Sequence, residues 1–215
     1  MKTYHKIQTV YKRNPATKFK TLLMGEFSLP EFEYLQNNQW VYTEKVDGTN
    51  IRIMCVGGKI TFGGKTDRAQ LPAKLVERLN DIFLPQTTKF AEVFEQADVC
   101  LYGEGYGAKI QKVGRCYRPD QDFVLFDIRI GRWWLTRPDV EDIAQKLGLD
   151  VVPIIGSGTL LDMVQMAKKG IKSVWGDFDA EGIVARPAAE LIARNGSRII
   201  TKIKSRDFRK MEESK

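Results

Sequence analysis

"VYTEKVDGTNIRI", Val41 to Ile53, sets one lysine, Lys45, between two runs of alternating hydrophobic residues and follows it with Asp47, Gly48, Thr49 and Asn50. Alternation of this kind marks half-buried strands, and Asp-Gly is turn chemistry. The stretch predicts strand, bend, strand, with Lys45 at the end of the first. Downstream, "NIRIMCV" and "KITF" flank Gly57 and Gly58, which read as a two-residue hairpin turn.

Working outward, Leu71, Leu75, Leu79 and Ile82 recur at helical spacing and predict an amphipathic helix over about 70–84, with Pro72 in its first turn. "VCLYGEGYG" and "DFVLFDIRI" read as strands, the second joined through Gly131-Arg132 to "WWL" in a hairpin. Thr136 is placed to cap a helix reaching Leu147 with Gly148 as its stop; a short strand "VVPII" and a helix over about 159–169 follow. "EGIVAR" and "RIITKIKS" are the last two strands. Sequential strands with a few interposed helices predict an α+β fold built on antiparallel sheets, not a doubly wound parallel one. With 215 residues, 43% of them hydrophobic, the chain has material for one sizeable core or two small ones, and one compact domain is expected.

The net charge of +7 and pI near 9.2 suit a polyanionic partner without naming it. Residues 1–20 hold six Lys or Arg and no acid, which suits a transit peptide, a nucleic-acid-contacting arm or a solvated segment, the last being the plainest reading. Arg198, Arg206, Arg209 and Lys210 make the other end basic as well. Three scattered cysteines and a single histidine, His5, argue against a zinc site and suit a reducing cytosol. No run reaches the roughly 18 apolar residues of a membrane span, and no signal-peptide core is present, so a cytoplasmic protein with no membrane partner is expected. Trp40, Trp133 and Trp134 read as core more readily than as base-stacking surface.

Two phosphate motifs fail on spacing. "GGKT" at 63–66 ends like a Walker loop, but the first glycine would fall at Lys59; "GEGYG" at 103–107 has glycines at alternate positions, not GxGxxG. A serine triad would have to draw on His5. Lysine remains as the nucleophile. Its free pKa of about 10.4 leaves roughly one amine in a thousand neutral near physiological pH, a handicap of about 4 kcal/mol that desolvation and nearby positive charge reduce. "TKIK" supplies Lys202 and Lys204 at strand spacing two, on one face, where they also suit a phosphate. Glu104 and Glu181, each before a glycine at a strand end, can hold magnesium or a ribose hydroxyl, and Phe126 offers a ring face to a base.

In their order these pieces resemble the covalent nucleotidyltransferase superfamily of ATP-dependent ligases and capping enzymes. "KVDG" at 45–48 is similar to its nucleophile motif, "LYGEGYG" at 101–107 to its third, "FVLFDI" at 123–128 to the adjoining aromatic strand, "DAEGIVAR" at 179–186 to its fourth and "TKIK" at 201–204 to its fifth. "EKVDGTN", with Asn50 where DNA ligases carry arginine, resembles the phage-type RNA ligase branch that seals nicked duplexes, as do the lead-in segments "YHKIQTVYKR" and "GEFSLPEFEYL".

The resemblance implies an adenylation fold of antiparallel sheets flanked by a few helices with a nucleotide pocket between them. It also implies ATP with Mg2+ or Mn2+ as cofactors, and RNA ends, nicked duplexes included, as partners. Lys45 would take AMP from ATP, pass it to a 5′-phosphate, and the 3′-hydroxyl would displace it. Asp47 and Gly48 would belong to the nucleotide site with Glu44, which would help select adenine, and Asn50, which would position metal-bound water or the acceptor end. Glu104 would bind the ribose, Phe126 would stack on adenine with Ile183 or Val184 on its other face, and Glu181 would hold the metal. Lys202 and Lys204 would hold the α-phosphate. Lys65 stands where the family has an arginine, and a lysine does not reproduce a bidentate grip.

By the same resemblance, residues 1–215 form one adenylation domain with no C-terminal OB or helical domain, and a separate protein or domain would supply further nucleic-acid binding. A capping guanylyltransferase would need that OB domain. A DNA nick ligase and a nucleic-acid-binding module that has lost catalysis are the remaining alternatives.

Overall fold

A computed structural model describes residues 3–95 and 97–212, the side chains of 209–212 aside. Arg209 and Lys210 therefore lie outside the described side chains. The strands are β1 (Gln8–Thr9), β2 (Tyr11–Arg13), β3 (Leu22–Phe27), β4 (Trp40–Glu44), β5 (Thr49–Val56), β6 (Lys59–Gly63), β7 (Val99–Gly107), β8 (Gln121–Ile130), β9 (Trp133–Trp134), β10 (Ile154–Gly158), β11 (Gly182–Pro187) and β12 (Thr201–Lys204). The helices are α1 (Pro30–Tyr34), α2 (Ala73–Phe83), α3 (Thr87–Phe94), α4 (Gly114–Tyr117), α5 (Arg137–Leu147), α6 (Leu160–Lys169) and α7 (Ser205–Glu212). The fold is α+β on antiparallel sheets, apart from β1, which runs parallel to β12.

The chain divides into two compact units. The first comprises Asp47–Val152 and the N-terminal residues to His5; the second comprises Lys6–Val46 and the chain from Pro153 onward. Among the described residues, no helix is long and apolar enough to cross a membrane.

The first unit is an antiparallel sheet in the order β6-β5-β7-β8-β9. Val56 pairs with Lys59 across Gly57 and Gly58, both at positive φ, so the predicted tight hairpin forms with the twist its strands require. Leu75, Leu79 and Phe83 of α2, Phe90 and Phe94 of α3, and Val140, Ile143, Ala144 and Leu147 of α5 cover Ile51, Ile53, Leu101, Phe123 and Leu125 of the sheet. Both predicted helices are close to expectation, but α2 begins at Ala73 with Pro72 as its N-cap. Thr136 and Asp139 form a capping box on α5, and Gly148 ends it in the left-handed region.

The second unit has a sheet in the order β1-β12-β11-β4-β10 and a separate β2-β3 ribbon. Trp40 and Tyr42 of β4, Ile183 and Ala185 of β11 and Ile203 of β12 bury against Leu160, Met163, Val164 and Ala167 of α6, Phe32 of α1 and Phe208 of α7. The Trp40 indole donates to Leu35 O at 2.9 Å, which satisfies its N–H inside the core.

Some expectations need correction. "VVPII" is not one strand: Val151 only bridges Leu125, and β10 starts after Pro153, which carries no N–H for a ladder. The N-terminal segment is no solvated arm, because Tyr4, Val10 and Tyr11 are buried and residues 8–9 and 11–13 pair as strands. Trp133 is 72% exposed because it follows directly on the Gly131-Arg132 turn. Arg198 is buried and paired with Glu190, so it is not surface charge.

The alternate glycines of "GEGYG" have a packing cause. A Cβ on Gly103 would stand 2.3 Å from the Phe123 ring and 2.4 Å from Val124 O. Gly103→Ala is expected to destabilise the protein by about 1–3 kcal/mol through overpacking, read as a lowered urea midpoint with an unchanged slope.

Candidate active site

In the second unit, alternation along β4 turns Trp40, Tyr42 and Glu44 inward. Lys45 follows, its N–H donating to Gly182 O at 2.9 Å. β11 lies between β4 and β12 and runs antiparallel to both, with Ile183 opposite Glu44 and Gly182 opposite Lys204. The end of β4, the start of β11 and the end of β12 therefore meet at one edge. That topology brings Lys45, Glu181 and Lys204 together: Glu181 Oε2 accepts from Lys45 Nζ, and Oε1 lies 2.5 Å from Lys204 Nζ. Lys202 sits two residues back on the same strand face, opposite Val184.

The electrostatics of this edge are asymmetric. Burial by itself would raise the Glu181 pKa, but the two ammonium groups outweigh it and hold the carboxylate below its ordinary range. Glu44, the neighbour of Lys45 in sequence, is held quite differently. Its Oε1 accepts from Ser173 Oγ at 2.7 Å and its Oε2 from the Val174 N–H at 2.9 Å, while burial pushes its pKa up. Glu44 thus ties down the segment at 173–174, whereas the oxygens of Glu181 are held by lysine side chains that other ligands can replace.

Strand alternation also separates the two residues expected at the adenine face. Ile183 is fully buried in the core of this unit, so it has no surface to offer a ligand; Val184, pointing the other way, is half-buried.

In the first unit, Asp47 and Gly48 form the bend. The Asp47 N–H donates to the Tyr117 hydroxyl at 3.1 Å, and Gly48 O accepts from Gln111 Nε2 at 3.0 Å. A Cβ on Gly48 would stand 2.3 Å from Gly105 O, so only glycine lets the bend lie this close to β7. Asn50 and Glu104 are directly opposite across β5 and β7. The Asn50 Oδ1 position is buried with no hydrogen-bond partner among the described residues, an acceptor that a ligand donor would satisfy.

Phe126 owes its position to a bulge. Tyr102 pairs with Asp127 and Gly103 with Leu125, which leaves Phe126 as the extra residue of β8 and the partly exposed one between buried neighbours. Tyr4 packs its ring edge-on to Phe126 at 5.0 Å and donates its hydroxyl to Asp127 Oδ2 at 2.7 Å. Lys65 is exposed on the loop after β6. The buried Arg52 anchors that loop, donating to Gly64 O at 2.8 Å and Asp67 Oδ1 at 2.6 Å.

Tyr4, Arg52, Tyr117 and Ser173 escape a reading of sequence. Each acts over a long separation, and only an arginine within an apolar strand, "NIRIM", carries a local signal. Among the described residues, no group of three or more His, Cys, Asp and Glu is placed to hold a metal ion.

Because its folded pKa is lowered, Glu181 contributes stability above its ordinary value of 4.5 and loses it as pH falls through the folded value. The stability gap between wild type and Glu181→Gln is expected to be widest above about pH 5 and to narrow on acidification below that. Glu44, present in both proteins, cancels. Urea unfolding at a series of pH values checks this.

A model of the RNA ligase family matches residues 38–204. The RNA ligase of Naegleria gruberi with PPi superposes with a TM-score of 0.70 at 18% identity, covering 100% of this chain and 59% of that one. A variant of that ligase with AMP and Mn gives 0.70 at 17% identity over 100% and 59%, and one with ATP and Mn gives 0.66 at 18% over 86% and 54%. At these identities the likeness is one of fold, and the chain spans at most about 59% of those proteins' length. With the family model matched over most of its residues, this chain belongs to the RNA ligase family.

Proposed function

We propose that the chain is an ATP-dependent RNA ligase that joins 3′-hydroxyl and 5′-phosphate ends through a covalent lysyl-AMP. The observation that carries this reading is the meeting of Lys45, Glu181 and Lys204 at one sheet edge, in a chain of this family. The complexes of the Naegleria ligase with ATP and Mn, with AMP and Mn and with PPi match the substrate, transferred group and leaving group of such a reaction.

In the proposed first step the neutral Lys45 amine forms a bond to the α-phosphorus of ATP, and the bond to the bridging oxygen breaks to release pyrophosphate. A 5′-phosphate then takes the AMP from Lys45. The 3′-hydroxyl finally attacks that 5′-phosphorus and AMP departs. Lys45 Nζ is in contact with Glu181 Oε2, so the amine must leave this partner before it reacts. Glu181 is the residue that would hold a divalent cation, which would supply positive charge to the phosphates when bound.

Lys204 and Lys202 are the proposed contacts of the α-phosphate, where they neutralise charge as pyrophosphate leaves. Val184 is the proposed apolar contact of adenine in the second unit. In the first unit, Phe126 is proposed to stack on the base and Glu104 to accept from the ribose, with Asn50 supplying its buried amide and Asp47 and Gly48 the close-lying bend. Lys65 remains a proposed phosphate or ribose contact, and Glu44 acts through the backbone that it fixes. The two units together are proposed as one adenylation module. RNA ends, nicked duplexes among them, are the proposed acceptors, and the cytoplasm is the proposed location.

Incubation with Mg2+ or Mn2+ and ATP labelled at the α-phosphate is expected to leave a label that survives denaturation, and Lys45→Ala should abolish it. Lys204→Ala is expected to cost about a hundredfold or more in the rate of labelling. Absence of any label in the wild type would sink the enzyme reading and leave a binding module.

Phe126→Ala is expected to raise the ATP concentration needed for half-maximal labelling about tenfold, since base stacking is worth about 1–3 kcal/mol. An unchanged ATP dependence would remove Phe126 from the site.

A further inference from the structure

The second unit holds a cavity of about 430 Å3 lined by residues of β1 and β12 and of the segments beside them. Lys202 and Lys204 line it together with Lys6, Arg13, Lys20 and Arg206, and the uncharged Ile7, Gln8 and Thr9 also belong to the lining. Among the described residues Asp207 is the one acid in the lining, and it is neutralised: Arg13 grips it through two bonds of 3.0 and 2.9 Å. The remaining charge is positive, and Lys6, Lys20 and Arg206 are exposed.

An aromatic side chain completes the lining. Phe19 is 61% exposed and belongs to the same cavity. Its backbone is costly: Lys18 and Phe19 both lie in the left-handed region, at φ 51° and 61°, where a bulky residue is an outlier. The turn is nevertheless firmly built. The Asn14 N–H donates to Thr21 O at 3.0 Å, the Phe19 N–H to Asn14 O at 2.9 Å, the Ala16 N–H to Asn14 Oδ1 at 2.9 Å, and the hydroxyls of Thr17 and Thr21 are 2.9 Å apart. Burial of Phe19 gains nothing from this arrangement, so the strain is not repaid by the core. Strained backbone that the surroundings over-determine is characteristic of ligand clamps.

Cations that track a backbone, together with an exposed ring on which a base stacks, are the two components of single-strand nucleic-acid sites. We infer that this cavity binds a single-stranded segment of RNA, with phosphates on Lys6, Lys20 and Arg206 and one base stacked on Phe19. Lys202 and Lys204 are shared between the cavity and the proposed transfer site, so a strand lying in it has its phosphates led toward Lys45. This last point rests on the ligase reading; the binding itself does not. The volume falls within the range of small-ligand sites, roughly 300–1,000 Å3, and so suits a nucleotide or two and not a duplex.

The test uses a fluorescent single-stranded RNA of about a dozen nucleotides, within the site sizes of single-strand binders, with a 5′-hydroxyl and no ATP present. Anisotropy titrations are expected to show binding weakened about tenfold by Phe19→Ala and by Lys20→Glu, and retained by Phe19→Trp. Lys20→Glu should also flatten the log–log salt dependence by at least about 0.7. Both side chains are exposed and outside the proposed transfer machinery, so self-labelling by ATP should stay unchanged.

Equal RNA affinity in wild type, Phe19→Ala and Lys20→Glu would overturn the inference. Loss with Lys20→Glu alone, together with displacement of the RNA by inorganic tripolyphosphate equally well in wild type and Phe19→Ala, would also overturn it in favour of a plain polyanion site. A wild type that binds RNA through Phe19 yet takes no label from ATP would uphold this inference while removing the ligase reading.

Discussion

One carboxylate holds together the edge of the second unit where Lys45 and Lys204 meet. Lys45 and Lys204 arrive on different strands with like charges, and without a partner between them they would repel by as much as about 4 kcal/mol at an effective dielectric of 20 and 4 Å. Glu181 touches both, and it belongs to the loop entering the strand that separates theirs. The sheet order β12-β11-β4 is therefore an electrostatic arrangement as well as a packing one. Register depends on the opposite face: Trp40, Tyr42 and Ile183 are buried, and a slip of one residue would turn them out and Lys45 in.

The first unit shows how irregular backbone presents a side chain. Phe126 sits in a strand whose neighbours are buried, and in a regular ladder it would either join the core or face wholly away. The bulge opposite Tyr102 and Gly103 frees it from that alternation, and Tyr4 supports its edge. The same strand pair contains Gly103, whose missing side chain makes room for Phe123 and the Val124 carbonyl. Regular pairing and local departure are thus adjacent, and the departure falls at the residue proposed to stack on the base.

Much of this was legible in the sequence because the signals are local. Lys45 at a strand end, the Gly57-Gly58 hairpin, the Thr136 cap and the paired positions of Lys202 and Lys204 each follow from spacing within a few residues. What escaped depends on long-range contact. Tyr4 reaches Asp127, and Ser173 reaches Glu44, across more than a hundred residues, and neither has a motif around it. The charge of the N-terminal twenty residues outweighs a sparse apolar set whose burial is long-range: Val10 and Tyr11 join the core of the second unit, and Tyr4 packs on Tyr102, Phe126 and Trp134 of the first. Ile183 and Val184 stayed undivided until the direction of one strand was known.

Glu44 and Glu181 show why residue type alone does not assign a role. Both are acids beside Lys45, in sequence or in space, and both are largely buried. Glu44 receives a backbone N–H and a hydroxyl that cannot leave without undoing the segment at 173–174, so its charge is committed to holding the chain. Among the described residues the Glu181 carboxylate receives ammonium groups at the ends of flexible side chains, so its partners can be exchanged at the cost of one ion pair and not of a loop. Burial raises the pKa of the first, and in the second paired charge overcomes it. A carboxylate with a lowered pKa, partly accessible and held by replaceable partners, is the one of the two that suits the exchange of ligands proposed for Glu181.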